Sequence, residues 1–271
     1  MRFSIITVCR NDLEGLKLTY NSVIKQTFPD FEWIVVDGNS SDGTREWLQS
    51  CNKKNIRWIS ESDNGIFDAM NKGILLARGE YLLFLNSFDE FAGINILEKV
   101  HNLICSAKKQ PEFIYGDSID ITLEGNSMYR KSKHFKTLWR GMFTQHQSMF
   151  FRNNKNIFFQ NEYRITADYA YIGHYLKDLT STDVKYINTA VCKFKLGGIN
   201  ESSRFRALNE DFLIRKNELG IGIFMCTLLY ILHFLHTLQK RMLPNTARAL
   251  RYKYKQNIPA DNGGKKSKNL Y

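Results

Sequence analysis

SESDNGIFDAMNKGILLARGEYLLFLNSFDE, Ser60–Glu90, sets a helical pattern against a strand and ends on acids. Ile66–Ala77 repeats its apolar residues every three or four positions, as a helix with one buried face does, and Tyr81–Leu85 is an apolar run of strand length. That run surfaces as Asn86-Ser87-Phe88-Asp89-Glu90. A buried strand therefore delivers carboxylates to its carboxyl end, with Phe88, which ligates nothing, just ahead of them.

Upstream, the same alternation repeats. Phe3–Val8 reads as a strand, Leu16–Lys25 as a helix and Trp33–Asp37 as a strand. Thr44–Ser50 follows as a helix after an Asp42-Gly43 turn, and Ile56–Ser60 as a strand. Strands alternating with short helices predict a Rossmann-like, mostly parallel sheet covered by helices on both faces. Ligands of such sheets bind beyond the carboxyl ends of the strands. Those ends carry Thr7–Arg10, Asp37–Asp42, Glu61–Asp63 and Asn86–Glu90, so one edge gathers four polar clusters.

Downstream the period changes. A helix at Ile94–Ala107 precedes a short strand at Glu112–Tyr115, a hairpin over Asp120–Tyr129 about Gly125-Asn126, and the apolar segment His146–Phe151. A helix at Asp168–Leu176 and strands at Val184–Ile187 and Val191–Phe194 complete the pattern. The expected organisation is one α/β domain over residues 1–215. Its residues 1–110 form the nucleotide-binding part and 111–215 the acceptor side of a cleft. An apolar helix (216–243) and a basic tail (244–271) follow.

The net charge of +11 is local: Lys240–Tyr271 holds nine Lys or Arg against Asp261 alone, which supplies +8 of it. A nucleic-acid-binding surface would be basic throughout; a basic end suits an anionic membrane. Ile221–Leu238 has eighteen residues without a formal charge, which is marginal for a span. An interfacial helix with a polybasic end, a packed helix, a homodimer helix and a span all fit it. The five cysteines are scattered, with no CxxC, which indicates reduced core thiols in a cytoplasmic protein. The amino-terminal apolar residues read as a strand rather than a signal peptide.

The polar clusters have ordinary readings beside functional ones. No GxGxxG or GxxxxGK[ST] occurs, so neither a dinucleotide fingerprint nor a phosphate loop is present. Asp37 ends a strand, where it can accept hydrogen bonds from a base or ribose. Asp42-Gly43-Thr44 is equally a turn and helix start. Asp63 serves as well for a helix cap, and Asp68 with Lys72 for an exposed i,i+4 pair.

In order, SIITVCRN, VVDGNSSDGT, the Ser60–Glu90 block, HQSMFF, ITADY and FKLGGI resemble inverting family 2 glycosyltransferases of the GT-A fold. The bacterial group that builds capsule, colanic acid and O-antigen repeats is the nearest match. The match spans about residues 3–200. It implies a nucleotide sugar, UDP-linked, as donor and a saccharide, lipid diphosphate-linked, as acceptor. By resemblance Thr7, Cys9 and Arg10 frame the nucleotide, and Asp37 and Asp63 contact the nucleoside. Arg78 and Gly79 lie on the donor side. The family's DxD metal signature falls on Asn86-Ser87-Phe88, with both acids absent, which leaves Asp89 to hold Mg²⁺ or Mn²⁺.

Such an ion would neutralise the departing diphosphate, and one carboxylate plus phosphate oxygens can suffice for it. Phe88 is expected to pack under the loop, and Glu90 to face solvent, with assistance to the ion as its alternative. Asp168, otherwise a first-turn acid, becomes the base that takes the acceptor proton. His146 and Gln147 line the acceptor or diphosphate side, and Lys195, Gly197 and Gly198 loop over the diphosphate. A zinc role for His146 is disfavoured, since no Cys/His cluster surrounds it. The expected location is the cytoplasmic face of the inner membrane, held peripherally. Two alternatives remain at this stage: a sugar-nucleotide nucleotidyltransferase, and a non-catalytic membrane-associated assembly protein.

Overall fold

The computed structural model describes residues 1–51, 53–122, 125–154, 156–196 and 203–242. The expected loop glycines Gly197 and Gly198 and the basic tail lie outside the described residues.

The first half is a β/α alternation. β1 (Phe3–Cys9), α1 (Leu13–Val23), β2 (Phe31–Asp37), α2 (Thr44–Ser50), β3 (Ile56–Ser60), α3 (Ile66–Leu76) and β4 (Tyr81–Phe84) follow in turn. Every residue of β1 and β2 is buried, as a central parallel sheet requires. Period two divides β1 between two cores. Ile6 and Val8 join α3 and α5 (Ala167–Leu176) on one face. Phe3 and Ile5 join α1 and α4 (Ile96–Ser106) on the other. Each fully buried aliphatic side chain contributes about 1.5–3 kcal/mol, so these two layers fix the sheet and hence the edge where its strands end.

The second half departs from the expected pattern. β5 (Glu90–Phe91), β6 (Phe113–Ile121), β7 (Ser127–Arg130), β8 (Met149–Arg152) and β9 (Val184–Lys195) join the same sheet. Its order is β3-β2-β1-β4-β8-β6-β9-β5, with β7 paired to β6. β8 is antiparallel to both β4 and β6, while β6 and β9 are parallel. The sheet is therefore mixed rather than mostly parallel as expected, and parallel pairing is confined to β1 to β4 and the β6–β9 pair. The strand expected at Glu112–Tyr115 runs on to Ile121, and the two strands expected between Val184 and Phe194 are one. A shift in the β6–β9 register at Gly116/Asp117 lets both continue. A Cβ on Gly116 would stand 2.6 Å from Val191 Cγ2 and 2.8 Å from the Thr189 carbonyl, so this crossing needs glycine.

α6 (Arg204–Asn217) and α7 (Ile223–Met242) close the described chain. α7 buries Cys226 and Leu229, and its Phe234 and Tyr230 rings meet Phe205 and Phe212 of α6. Ile223, Phe224, Leu228, Ile231, Leu232 and Leu235 stay exposed. Among the described residues no helix is long and apolar enough to cross a membrane. The cysteines are all free, but Cys105 is exposed and Cys51 half-buried, so only Cys9, Cys192 and Cys226 are core thiols.

Candidate active site

β1, β2 and β4 end side by side, and the residues just beyond them form the site. Asp37, at the end of β2, is fully buried. One oxygen accepts from the Ser40 amide at 3.1 Å and the Ser60 hydroxyl at 2.6 Å. The other accepts from the Ser40 hydroxyl and from the Cys9 thiol at 3.8 Å. A carboxylate offers about four lone-pair sites, so Asp37 is saturated and shapes the wall. Burial, reinforced by Asp37, pushes the Cys9 thiol well above its ordinary value and keeps it neutral. Thr7 is equally internal: its hydroxyl donates to the Leu85 carbonyl at 2.6 Å and accepts from the Trp33 indole at 2.8 Å.

Asp63 differs. One oxygen caps the Gly65 amide at 2.9 Å, and the other has no hydrogen bond among the described residues. That oxygen lies 2.5 Å from where a Gly38 Cβ would stand, and Arg10 Cβ lies 3.3 Å from the same point. Gly38 thus opens room for Asp63 beside the exposed Arg10. Asp68 and Lys72 keep their ordinary role: Lys72 binds Glu61 at 2.8 Å and approaches Asp68 at 3.9 Å.

Arg78 and Gly79 lie at the opposite edge, where the strands begin. The Arg78 amide donates to Glu32 at 2.6 Å and the Gly79 amide to Ser4 at 2.8 Å. The donor-side placement of Arg78 is therefore corrected, because a residue that precedes β4 reaches only the amino end of a parallel sheet.

The loop after β4 is clamped by α1. Asp12 caps α1 through the Gly15 amide at 3.3 Å and accepts from the Ser87 hydroxyl at 2.6 Å. The Thr19 hydroxyl donates to the carbonyl of Asp89 at 2.8 Å. Phe88 takes φ +71°, a region that bulky side chains rarely enter. Its amide donates to the Gly15 carbonyl at 3.2 Å, and its ring lies against Gly15. It does not pack under the loop as expected: it is 37% exposed, with the Lys195 ammonium 4.1 Å above the ring.

Asp89 points inward. It is 4% exposed and accepts from the Gln147 amide at 2.8 Å. Burial pushes its carboxyl up to about 7, against the opposing influence of Gln147, His146 and the Lys195 backbone amide. Asn86 Oδ1 and Gln147 Oε1 are buried without a hydrogen-bond partner; amide oxygens can ligate a hard cation, but they bring no charge to it. Among the described residues no three His, Cys, Asp or Glu side chains group as a metal site. Asp89 is buried and bonded to Gln147, and Asp12 is bonded to Ser87, so neither loop carboxylate stands free for the divalent ion implied by the sequence.

His146 bridges the two halves. Its Nδ1 lies 3.1 Å from Asp168 Oδ2, and its Nε2 lies 3.5 Å from the Asn86 amide nitrogen. Asp168 begins α5, where its other oxygen accepts from the Tyr169 amide at 2.9 Å. The turn before it is held from α6: Glu210 accepts from the amides of Arg164 (3.1 Å), Ile165 and Thr166 (both 2.9 Å). Sequence reasoning singled out Asp168 and His146 but not their pairing, and it missed Asp12 and Glu210. The Asp-x-x-Gly start of α1 is a capping signal for Asp12; nothing local marks Glu210.

A mixed α/β sheet with a part-buried acid–imidazole pair beside polar strand ends suits a group-transferring enzyme. The family 2 glycosyl transferase model matches residues 4–172, and the chain belongs to that family: it is a glycosyltransferase. An uncharacterized glycosyltransferase of Mycobacterium tuberculosis is 32% identical over 203 residues, 72% of this chain and 76% of that one. A PGL/p-HBAD biosynthesis glycosyltransferase of Mycobacterium bovis is 31% identical over 242 residues, 82% of this chain and 87% of its own. Neither bears the name of a colanic acid or O-antigen enzyme.

Among solved structures, residues 1–349 of S. aureus TarS superpose with a TM-score of 0.63 at 18% identity, covering 90% of this chain and 74% of TarS 1–349. A Pyrobaculum calidifontis mannosyltransferase in complex with GDP-Man and Mn²⁺ gives 0.58 at 16%, covering 95% and 76%. These two likenesses concern the fold.

Proposed function

We propose that the chain is an inverting GT-A hexosyltransferase. It moves a sugar from a nucleotide sugar, UDP-linked, to a lipid diphosphate-linked saccharide in surface polysaccharide or glycolipid synthesis. The observation that carries this reading is the Asp168–His146 pair at 3.1 Å, set across from Asn86 on the donor-side loop. Residues 1–110 form the donor side, with Arg10 and the free oxygen of Asp63 toward the nucleoside. Residues 111–215 form the acceptor side.

Asp168 takes the proton of the acceptor hydroxyl as that oxygen attacks the anomeric carbon. His146 holds the carboxylate toward the cleft, and Gln147 keeps Asp89 turned away from it. A Mg²⁺ or Mn²⁺ ion would supply positive charge to the leaving diphosphate. Neither Asp89 nor Asp12 stands free to hold one, and no step here runs through it. The exposed apolar face of α7 and the basic sequence after it support attachment to an anionic membrane, at its cytoplasmic face. A homodimer through the same face is the second reading, and it rests on the same exposed side chains.

Asp168→Asn tests the proposal. With a panel of nucleotide sugars and a lipid-linked acceptor extract, transfer should fall by about 10²–10⁴-fold, while UDP binding by calorimetry stays unchanged. Undiminished transfer would refute the base assignment.

A further inference from the structure

Removing the two acids of a metal signature leaves a charge problem. As a glycosyl group transfers, the bond from the anomeric carbon to the diphosphate oxygen breaks and its electron pair stays on that oxygen. The acceptor oxygen forms the new bond, and its proton goes to Asp168. Something cationic must meet the charge left on the diphosphate. The first two signature positions are Asn86 and Ser87, and the third is Phe88, held in the left-handed region at φ +71°. An aromatic there is costly in backbone terms, and glycine would suit the position better.

The ring has a visible partner. Lys195, the last residue of β9, places its ammonium 4.1 Å above the Phe88 ring centroid. Aromatic faces attract ammonium groups at this range. The contact brings a cation from the far half of the sheet to the position where the metal-bearing acid would stand. Among the described residues no carboxylate pairs with the Lys195 ammonium; Asp89 meets only the Lys195 backbone amide. The two acids nearest the loop are engaged elsewhere, Asp89 with Gln147 at 2.8 Å and Asp12 with Ser87 at 2.6 Å. Lys195 is exposed, so its charge is at the surface beside the loop after β4 rather than in the core.

We propose that the Lys195 ammonium, seated on the Phe88 ring, neutralises the donor diphosphate in place of a divalent cation. Phe88 is then a positioning residue and Lys195 the group that touches the donor. The proposal rests on the nucleotide-sugar reading above, and it requires nucleotide binding that is independent of metal.

Calorimetric titration of the full chain with UDP, GDP and the matching nucleosides, in EDTA and in Mn²⁺, tests it. The wild type should bind one nucleoside diphosphate equally in both buffers. Lys195→Ala should weaken that nucleotide at least tenfold and leave the nucleoside unchanged, which also shows that the pocket is folded. Lys195→Arg should retain most of the affinity, and Phe88→Leu should lose part of it. Binding that requires Mn²⁺ and is indifferent to Lys195→Ala would overturn the proposal while leaving the donor reading intact. A wild type that binds neither nucleotide in either buffer would overturn the donor reading, and this proposal with it.

Discussion

Asp89 keeps its proton to an unusual pH, and that has a measurable sign. Burial raises its carboxyl to about 7 in the folded chain, whereas an unfolded Asp titrates near ~3.9. Between these values the folded state binds more protons, so stability is fully present below about pH 4 and falls as pH rises through about 7. Asp89→Asn should therefore stabilise the protein at pH 8, by up to a few kcal/mol at about 1.4 per pH unit, and change little at pH 4. Urea melts at the two pH values check this, and an equal effect at both would exclude a titrating Asp89. The sequence placed this acid at the correct strand end. What it could not reveal was Gln147, fifty-eight positions away, which turns the carboxylate inward. Likewise Asp37 and Asp63 look alike in sequence, yet of the two only Asp63 has an oxygen without a hydrogen bond among the described residues. Asp63→Asn is expected to weaken nucleotide binding several-fold with little loss of stability, read by calorimetry and thermal melting.

Elements of the first half were legible because local and global signals agree there. α2 and β3 begin and end where the apolar period and the turn residues set them. β6 and β9 were not, because Gly116-Asp117 and Asn188-Thr189 carry turn chemistry in the middle of strands that the sheet continues. Tertiary pairing outweighs that local preference: β6 gains partners on both sides, and Gly116 lets β9 close in. A similar close approach at Gly79 gives an element-scale prediction. A Cβ there would stand 2.6 Å from the backbone of Phe3 and Ser4, which cannot yield as a flexible side chain would. Gly79→Ala should cost about 1–3 kcal/mol, seen as a lower melting temperature. Gly222→Ala, with nothing within 4 Å of its Cβ, is the matched control.

At the scale of the whole molecule, the chain is a sheet-centred body with an apolar helical face and a strongly basic sequence end. Sequence reading expected an apolar helix over 216–243; α7 instead spans Ile223–Met242 and packs on α6, which the sequence did not indicate, and those contacts decide which side is covered. If the uncovered face meets an anionic bilayer, the protein should sediment with vesicles containing anionic lipid and be partly released by ~0.5 M salt, which screens charge beyond a few ångströms. Phe224→Ser with Leu232→Ser should reduce sedimentation several-fold at low salt. Unaltered sedimentation of that double variant would assign membrane contact elsewhere.

The grip of Glu210 on residues 164–166 carries a lesson for anyone recombining such chains. The family match ends at residue 172, yet the turn that presents Asp168 is fastened by a side chain on α6, thirty-eight positions beyond that end. A chimera spliced at the family boundary would inherit Asp168, the proposed base, without its anchor. Such a hybrid would be expected to fold around the sheet and still lose turnover, unless its grafted half brings a carboxylate to the place of Glu210.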